Sequence, residues 1–363
     1  MREEEKKLFW ELCRFRDSSP ERLQKLLTVR ANTPAVLGHL FSNRMAGVAY
    51  GVLRDSGMLQ AAGREFRAAL KNAWEQNLWR NESYCRCLSL LADTLRDCED
   101  RYAMLKGAYL CGWYPEGMRT ANDIDILVMD RDIAAMDECL QQAGFRQGYI
   151  GDGRFTPATR EEIITSRMMR GETVPYVRRM NLPFCEYMEV DLNFSLDYKR
   201  AKGEEIAGWL ANAQTVSSGG CTIRTLDRQD FLLHLCCHLY KEAATWPWVE
   251  MRRDMTLYKF CDIYALIHDW KEADFQALEQ RISRREAGTA CFYALSLTKA
   301  LFSEEAPALE VFLKRIAPPK PDALLKTVID PATKRVYAYP EMTAEERFFA
   351  EDRTTLLKGG RTA

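Results

Sequence analysis

The chain has almost no net charge: 51 lysines and arginines against 52 aspartates and glutamates leave −1 over 363 residues. That balance excludes a global field of the kind that holds long nucleic acid, so any polyanion must be met by a local patch. No uninterrupted apolar run approaches membrane-spanning length, and the opening "MREEEKKLFWELCRF" is charged where a secretory signal needs an apolar centre. A cytoplasmic protein with no membrane partner is expected. Histidine is scarce, at four residues. Two of them, His234 and His238, stand four apart in "FLLHLCCHLY", but that segment is strongly apolar and offers no third ligand, so they read as packed histidines. Cysteine is plentiful, yet the closest groupings of the twelve, Cys85 with Cys87 and Cys236 with Cys237, lack paired zinc-knuckle spacing. Reduced, mostly buried thiols are expected. Internal repeats and low-complexity segments are absent too.

What is present is an ordinary globular composition, 47% hydrophobic and 28% charged, on a chain long enough for two or three packed units. The first hundred residues carry helical spacing, as in "PERLQKLLTV", where Ser18 or Ser19 caps and Pro20 enters the first turn. From Tyr102 the pattern shortens. "YAMLKG", "DIDILVM", "FRQGYI" and "CEYMEVDLNFSL" read as strands, "AYLCGWY" as a short helix, and "DRDIAAMDECLQQAG" as a helix closed by Gly144. The polar and basic span from Gly151 to Met180 yields no clear element. Helical spacing returns at Asp227 and is interrupted by Pro318, Pro319 and Pro321. The expected organisation is a helical region over 1–100, an α/β core over 101–225, a second helical region over 226–320 and a weakly structured tail over 321–363.

Chemistry concentrates in "RTANDIDILVMD". On a strand, Asp123 and Asp125 point to the same face, and two adjacent carboxylates repel unless a cation lies between them. A divalent metal is the natural occupant. Asp191 in "EYMEVDLNF" sits on another predicted strand, and pairing of the two strands would bring a third carboxylate alongside. Three carboxylates can hold two divalent ions, one activating an acceptor hydroxyl and one stabilising departing phosphate oxygens, and Asp191 can also take the acceptor proton. Repulsion further predicts that neutralising Asp125 leaves the metal-free melting point level or raises it. Upstream, Gly107 stands at a strand-to-helix turn where a missing Cβ admits a phosphate, with Lys106 and Arg119 as compensating cations. Arg119 can equally serve as a salt-bridge partner of Asp123. The arginines of "SRMMRGETVPYVRRM", Arg167, Arg170, Arg178 and Arg179, are either a solvated face or a landing surface for an anionic acceptor.

The succession "LKGAYL", Arg119, "NDIDILV", "EVDLNF" and a helical "FLLHLCCHLYKEA…LYKFCDIYAL" resembles the bacterial uncharacterised nucleotidyltransferase family, grouped with the DNA polymerase β-like nucleotidyltransferase superfamily. The resemblance covers roughly residues 40 to 290. It implies an α+β fold, with a small mixed β-sheet nucleotidyltransferase core flanked by N-terminal and C-terminal helical regions. It also implies two magnesium ions on Asp123, Asp125 and Asp191, and transfer of a nucleoside monophosphate from a triphosphate such as ATP, with Lys106, Gly107 and Arg119 around the triphosphate. The chain departs at Gly107-Ala108, where the superfamily has glycine followed by glycine or serine. The expected acceptor is a small molecule bearing a hydroxyl. Its alternatives are an RNA or protein acceptor, or an interaction protein that binds a nucleotide without turnover.

Overall fold

The computed structural model describes residues 1–28, 33–169, 171–195, 203–285, 287–302 and 306–362. Two compact units emerge, one from Met1–Leu70 with Leu232–Ala363 and one from Lys71–Phe231. The fold is mixed α and β, with a mixed sheet and helical regions at both ends of the chain. Among the described residues no helix is long and apolar enough to cross a membrane.

The second unit is built on eight strands: β1 Tyr102–Met104, β2 Asp123–Val128, β3 Arg146–Gly151, β4 Arg154–Pro157, β5 Tyr176–Leu182, β6 Cys185–Asn193, β7 Gln214–Ser218 and β8 Cys221–Thr225. Their order is β4-β3-β5-β6-β2-β1-β8-β7. Strand β2 runs parallel to β6 and β1 parallel to β8, and the remaining neighbours are antiparallel. The sheet is wider than the sequence announced because β4, β5, β7 and β8 carry arginine, serine and threonine rather than apolar runs. Two tight turns build its outer hairpins, Asp152-Gly153 at φ 49° and 70° and Gly219-Gly220 at φ 56° and 83°.

Alternation on β6 explains how this sheet is anchored. Met188, Val190 and Leu192 are buried, whereas Tyr187, Glu189, Asp191 and Asn193 are half-buried. One face therefore packs, joining Ile124, Ile126 and Val128 of β2 and Ile133, Met136 and Leu140 of the helix Ile133–Gln142 in a common core. Each such side chain contributes roughly 1.5–3 kcal/mol relative to exposure. The opposite face of β6 is only partly covered.

In the first unit the segment from 321 onward, expected to be weakly structured, forms the helix Pro321–Lys326 and a small antiparallel sheet of β9 Thr327–Asp330, β10 Arg335–Ala338 and β11 Lys358–Thr362. What fixes it is chemistry that short apolar spacing does not reveal. Asp254, fully buried, accepts from Arg347 Nη2 at 3.1 Å and Arg353 Nε at 2.8 Å, and Phe348 and Phe349 pack in tilted and edge-on contacts against Phe9 and Trp10. His234 and His238 stack with ring centres 6.3 Å apart, and His238 with Lys259 brackets the carboxylate of Glu242.

Candidate active site

The parallel pairing of β2 and β6 sets Asp125 directly opposite Asp191 and Asp123 opposite Glu189. Directly paired residues share a face, so four carboxylates, not three, stand on the partly covered side of the sheet. Glu189 went unnoticed in the sequence, although its spacing of two from Asp191 was the available signal.

Asp125 is the covered member, 6% exposed. Its Oδ1 accepts from Lys106 Nζ at 2.8 Å and from Asn193 Nδ2 at 3.3 Å, and the same amide of Asn193 donates to the Asp191 carbonyl at 3.2 Å. Burial pulls the Lys106 ammonium down, but Asp125, Asp123 and Asp191 outweigh it and its pKa is raised. The acids show the reverse side of this balance. Asp191 is pushed well above the ordinary carboxylate range by burial, then by Asp125, Asp123 and Glu172, with Lys106 opposing. Asp123, at the start of β2, is raised by the cover around its carboxyl and by Asp125, against Lys106 and Arg119. Glu189 is raised by burial and then by Asp123. The face thus holds more negative charge than one ammonium neutralises.

Among the described residues no three His, Cys, Asp or Glu side chains are drawn together into a ready metal cage.

Lys106 owes its position to an unusual turn. It caps the helix Gly107–Trp113 with φ 42° and ψ −112°, a backbone region that side-chain-bearing residues rarely occupy. Gly107 follows because nothing larger fits. A Cβ there would lie 2.3 Å from Ala121 Cβ and 3.1 Å from Tyr84 Oη. The room that a Cβ on Gly107 would take is occupied by Ala121 of the loop leading into β2. Gly107→Ala should therefore lower stability by about 1–3 kcal/mol in thermal or denaturant melts, and pairing it with Ala121→Gly should recover most of the loss; no recovery would mean that the clash does not set the role of Gly107.

Arg119 is nearly buried on that same loop. Its guanidinium donates to the Thr120 carbonyl, and its own carbonyl accepts from Asn81 Nδ2 at 2.9 Å. Tyr84 Oη donates to the Asp123 carbonyl at 2.9 Å, so the helix Arg64–Thr94 clamps the segment bearing Arg119 and Asp123. The basic run does not act as one patch. Arg167 lies 3.5 Å from Asp130, Arg179 pairs with Glu186 at 2.9 Å, and Arg178 stacks over Phe145 of the packed face. Arg170 lies outside the described residues.

In structure the chain is similar to an antigenic nucleotidyltransferase-like protein from Paracoccidioides brasiliensis, 16% identical over 57% of this chain and 91% of that one, with a TM-score of 0.31, a likeness too loose to argue from. No curated protein matches the chain. The sequence model of one family does, across residues 31–303, a stretch that contains β1 to β8 and every residue of the acidic face. The chain belongs to the uncharacterised nucleotidyltransferase family.

Proposed function

We propose that the protein is a magnesium-dependent nucleotidyltransferase of the DNA polymerase β-like superfamily, moving a nucleoside monophosphate from a triphosphate to an acceptor hydroxyl. The observation that carries this reading is the register: Asp125 opposite Asp191 on adjacent parallel strands, with Asp123 two residues earlier on the same face. These donors suit the ion. They are all hard oxygens, and the raised Asp191 and Asp123 mark an excess of negative charge that a divalent cation would relieve. Asp123, Asp125 and Asp191 would hold it, and its chemistry when bound is charge stabilisation at the transferring phosphoryl group.

The remaining work falls to the chain. Lys106, whose ammonium lies 2.8 Å from Asp125 Oδ1, would supply a counter-charge for the triphosphate. Arg119, held by its backbone to Asn81, supplies a second positive group. Gly107 contributes through the tight turn that aims Lys106. Asp191, paired with Asp125 across β2 and β6, would accept the proton of the attacking hydroxyl.

The test is incubation with each of the four nucleoside triphosphates, labelled on the α-phosphate, with magnesium and a cell extract. Transfer of label to an acceptor together with released pyrophosphate is expected for at least one nucleotide. Binding of a triphosphate with neither product would overturn the reading in favour of an interaction protein.

A further inference from the structure

The face that carries the carboxylates continues, strand by strand, into a surface of different character. Glu189 is paired with Val177, and Val177 with Arg146 of β3. Two residues from Glu189 along β6 lies Tyr187, paired with Arg179. On β3, Gly148 and Ile150 follow Arg146 on the same side, and Ile150 is paired with Phe155 of β4. Two observed contacts confirm the shared face: Arg146 lies over the Phe155 ring at 5.3 Å, and Arg179 over the Tyr187 ring at 6.0 Å. Gly148 belongs to the arrangement, since a Cβ on it would meet the Thr156 carbonyl oxygen at 2.3 Å and Phe155 Cε2 at 2.5 Å. Arg178, one residue from Arg179, projects to the packed side.

Two exposed guanidiniums, each over a half-buried ring and joined through the buried Val177, extend outward from the carboxylates over about 13 Å along β6 and about 10 Å across to β3. That exceeds the single stacked base step of about 3.4 Å. Aromatic faces accept bases of any identity, and stacked arginines hold phosphates. Arg179 already pairs with Glu186, but both groups are exposed, so the pair is weak and a phosphate can replace it.

We propose that the acceptor is the 3′ end of a single-stranded nucleic acid, laid along this face with a base on Tyr187 and phosphates at Arg179 and Arg146. The terminal hydroxyl then reaches Asp191, which in this respect rests on the transfer reading above. It replaces the small acceptor that overall charge favoured, because local pairing of arginine with aromatics supplies what net charge does not.

The test is fluorescence anisotropy of the full chain with a labelled single-stranded RNA of about 12 nucleotides, without triphosphate or metal, so that binding is judged apart from transfer. Binding that weakens with salt is expected. Arg146→Ala with Arg179→Ala should weaken it at least about tenfold and reduce the slope of log affinity against log salt by about 1.4. Tyr187→Leu should weaken it about tenfold with the slope unchanged. Arg178→Ala should bind as the parent does, and all variants should melt within a few degrees of it. Absence of RNA binding across about 50–200 mM salt would overturn the proposal and leave a protein or small acceptor. So would equal weakening by Arg178→Ala, or displacement of the RNA by an equimolar free nucleoside monophosphate, which would indicate a site for a single unit rather than a strand.

Discussion

Asp125→Asn is expected to reduce transfer at least about a thousandfold, which corresponds to about 4 kcal/mol of lost transition-state stabilisation. The substitution keeps the volume of a side chain that is 6% exposed and removes its charge at the centre of the acidic face. Its effect on stability reverses the expectation drawn from sequence. Counting carboxylates alone, neutralising one of a repelling set leaves the melting point level or raises it. But Asp125 is the residue on which Lys106 sits, at 2.8 Å, and the loss of a charge-assisted hydrogen bond to a half-buried ammonium outweighs the relieved repulsion. The metal-free variant should melt a few degrees lower than the parent. In a Lys106→Met background the same substitution should no longer lower the melting point. Near-parental turnover by Asp125→Asn would remove the acidic face from the chemistry altogether.

The acidic pair was legible because strand periodicity is rigid: a spacing of two places both aspartates on one side whatever the rest of the fold does. Asp191 was legible as a strand residue, and only the observed register makes it the direct neighbour of Asp125 rather than of Leu127. The same periodicity would have delivered Glu189. Likewise the Asp152-Gly153 and Gly219-Gly220 dipeptides are the strongest short hairpin signals available, and reading them would have revealed β4, β7 and β8 despite their polar composition. Other features were beyond pattern. That Gly107 is required by Ala121, fourteen residues on, depends on how the loop folds back. That Arg178 and Arg179 diverge to opposite faces follows from alternation, but only once their span is known to be a strand. The buried Asp254 with Arg347 and Arg353 joins residues about a hundred positions apart, a distance over which periodicity carries no information.

Lys106 connects the site to the fold. Its left-handed backbone is imposed by the turn before Gly107, and that turn delivers the ammonium to the acid lying deepest on the face. Neither residue alone specifies a function. A strained lysine held against Asp125, with Asp123 on the same strand and Glu189 and Asp191 on β6, ties the charge balance of the acidic face to the geometry of this turn.

Asp191→Asn should separate catalysis from stability most sharply, losing activity on the scale of Asp125→Asn while raising the melting point of the metal-free protein at neutral pH. The Lys106 ammonium bonds to Asp125, so removing the Asp191 charge relieves repulsion without cutting that ion pair. The sign follows from proton linkage. The native carboxyl is raised above the unfolded value of about 3.9, so between that value and its native pKa the folded state binds more protons than the unfolded one. Stability therefore falls as pH rises through that window, and the parent loses more of it the further the pH climbs above the unfolded value. The asparagine variant does not titrate there, so its advantage should be absent below about pH 4 and grow toward neutrality. For a unit of this size each kcal/mol moves the midpoint by about 2–4 °C. Magnesium or manganese should close the gap from the other side. By binding the deprotonated face it should raise the parent's melting point, increasingly so with pH, and shift Asp191→Asn much less. Melting curves at several pH values, with and without the metal, measure all of this on purified protein before any acceptor is identified. A variant that melts below the parent at neutral pH without metal would show that Asp191 is held by attractive contacts and not by a site awaiting a cation.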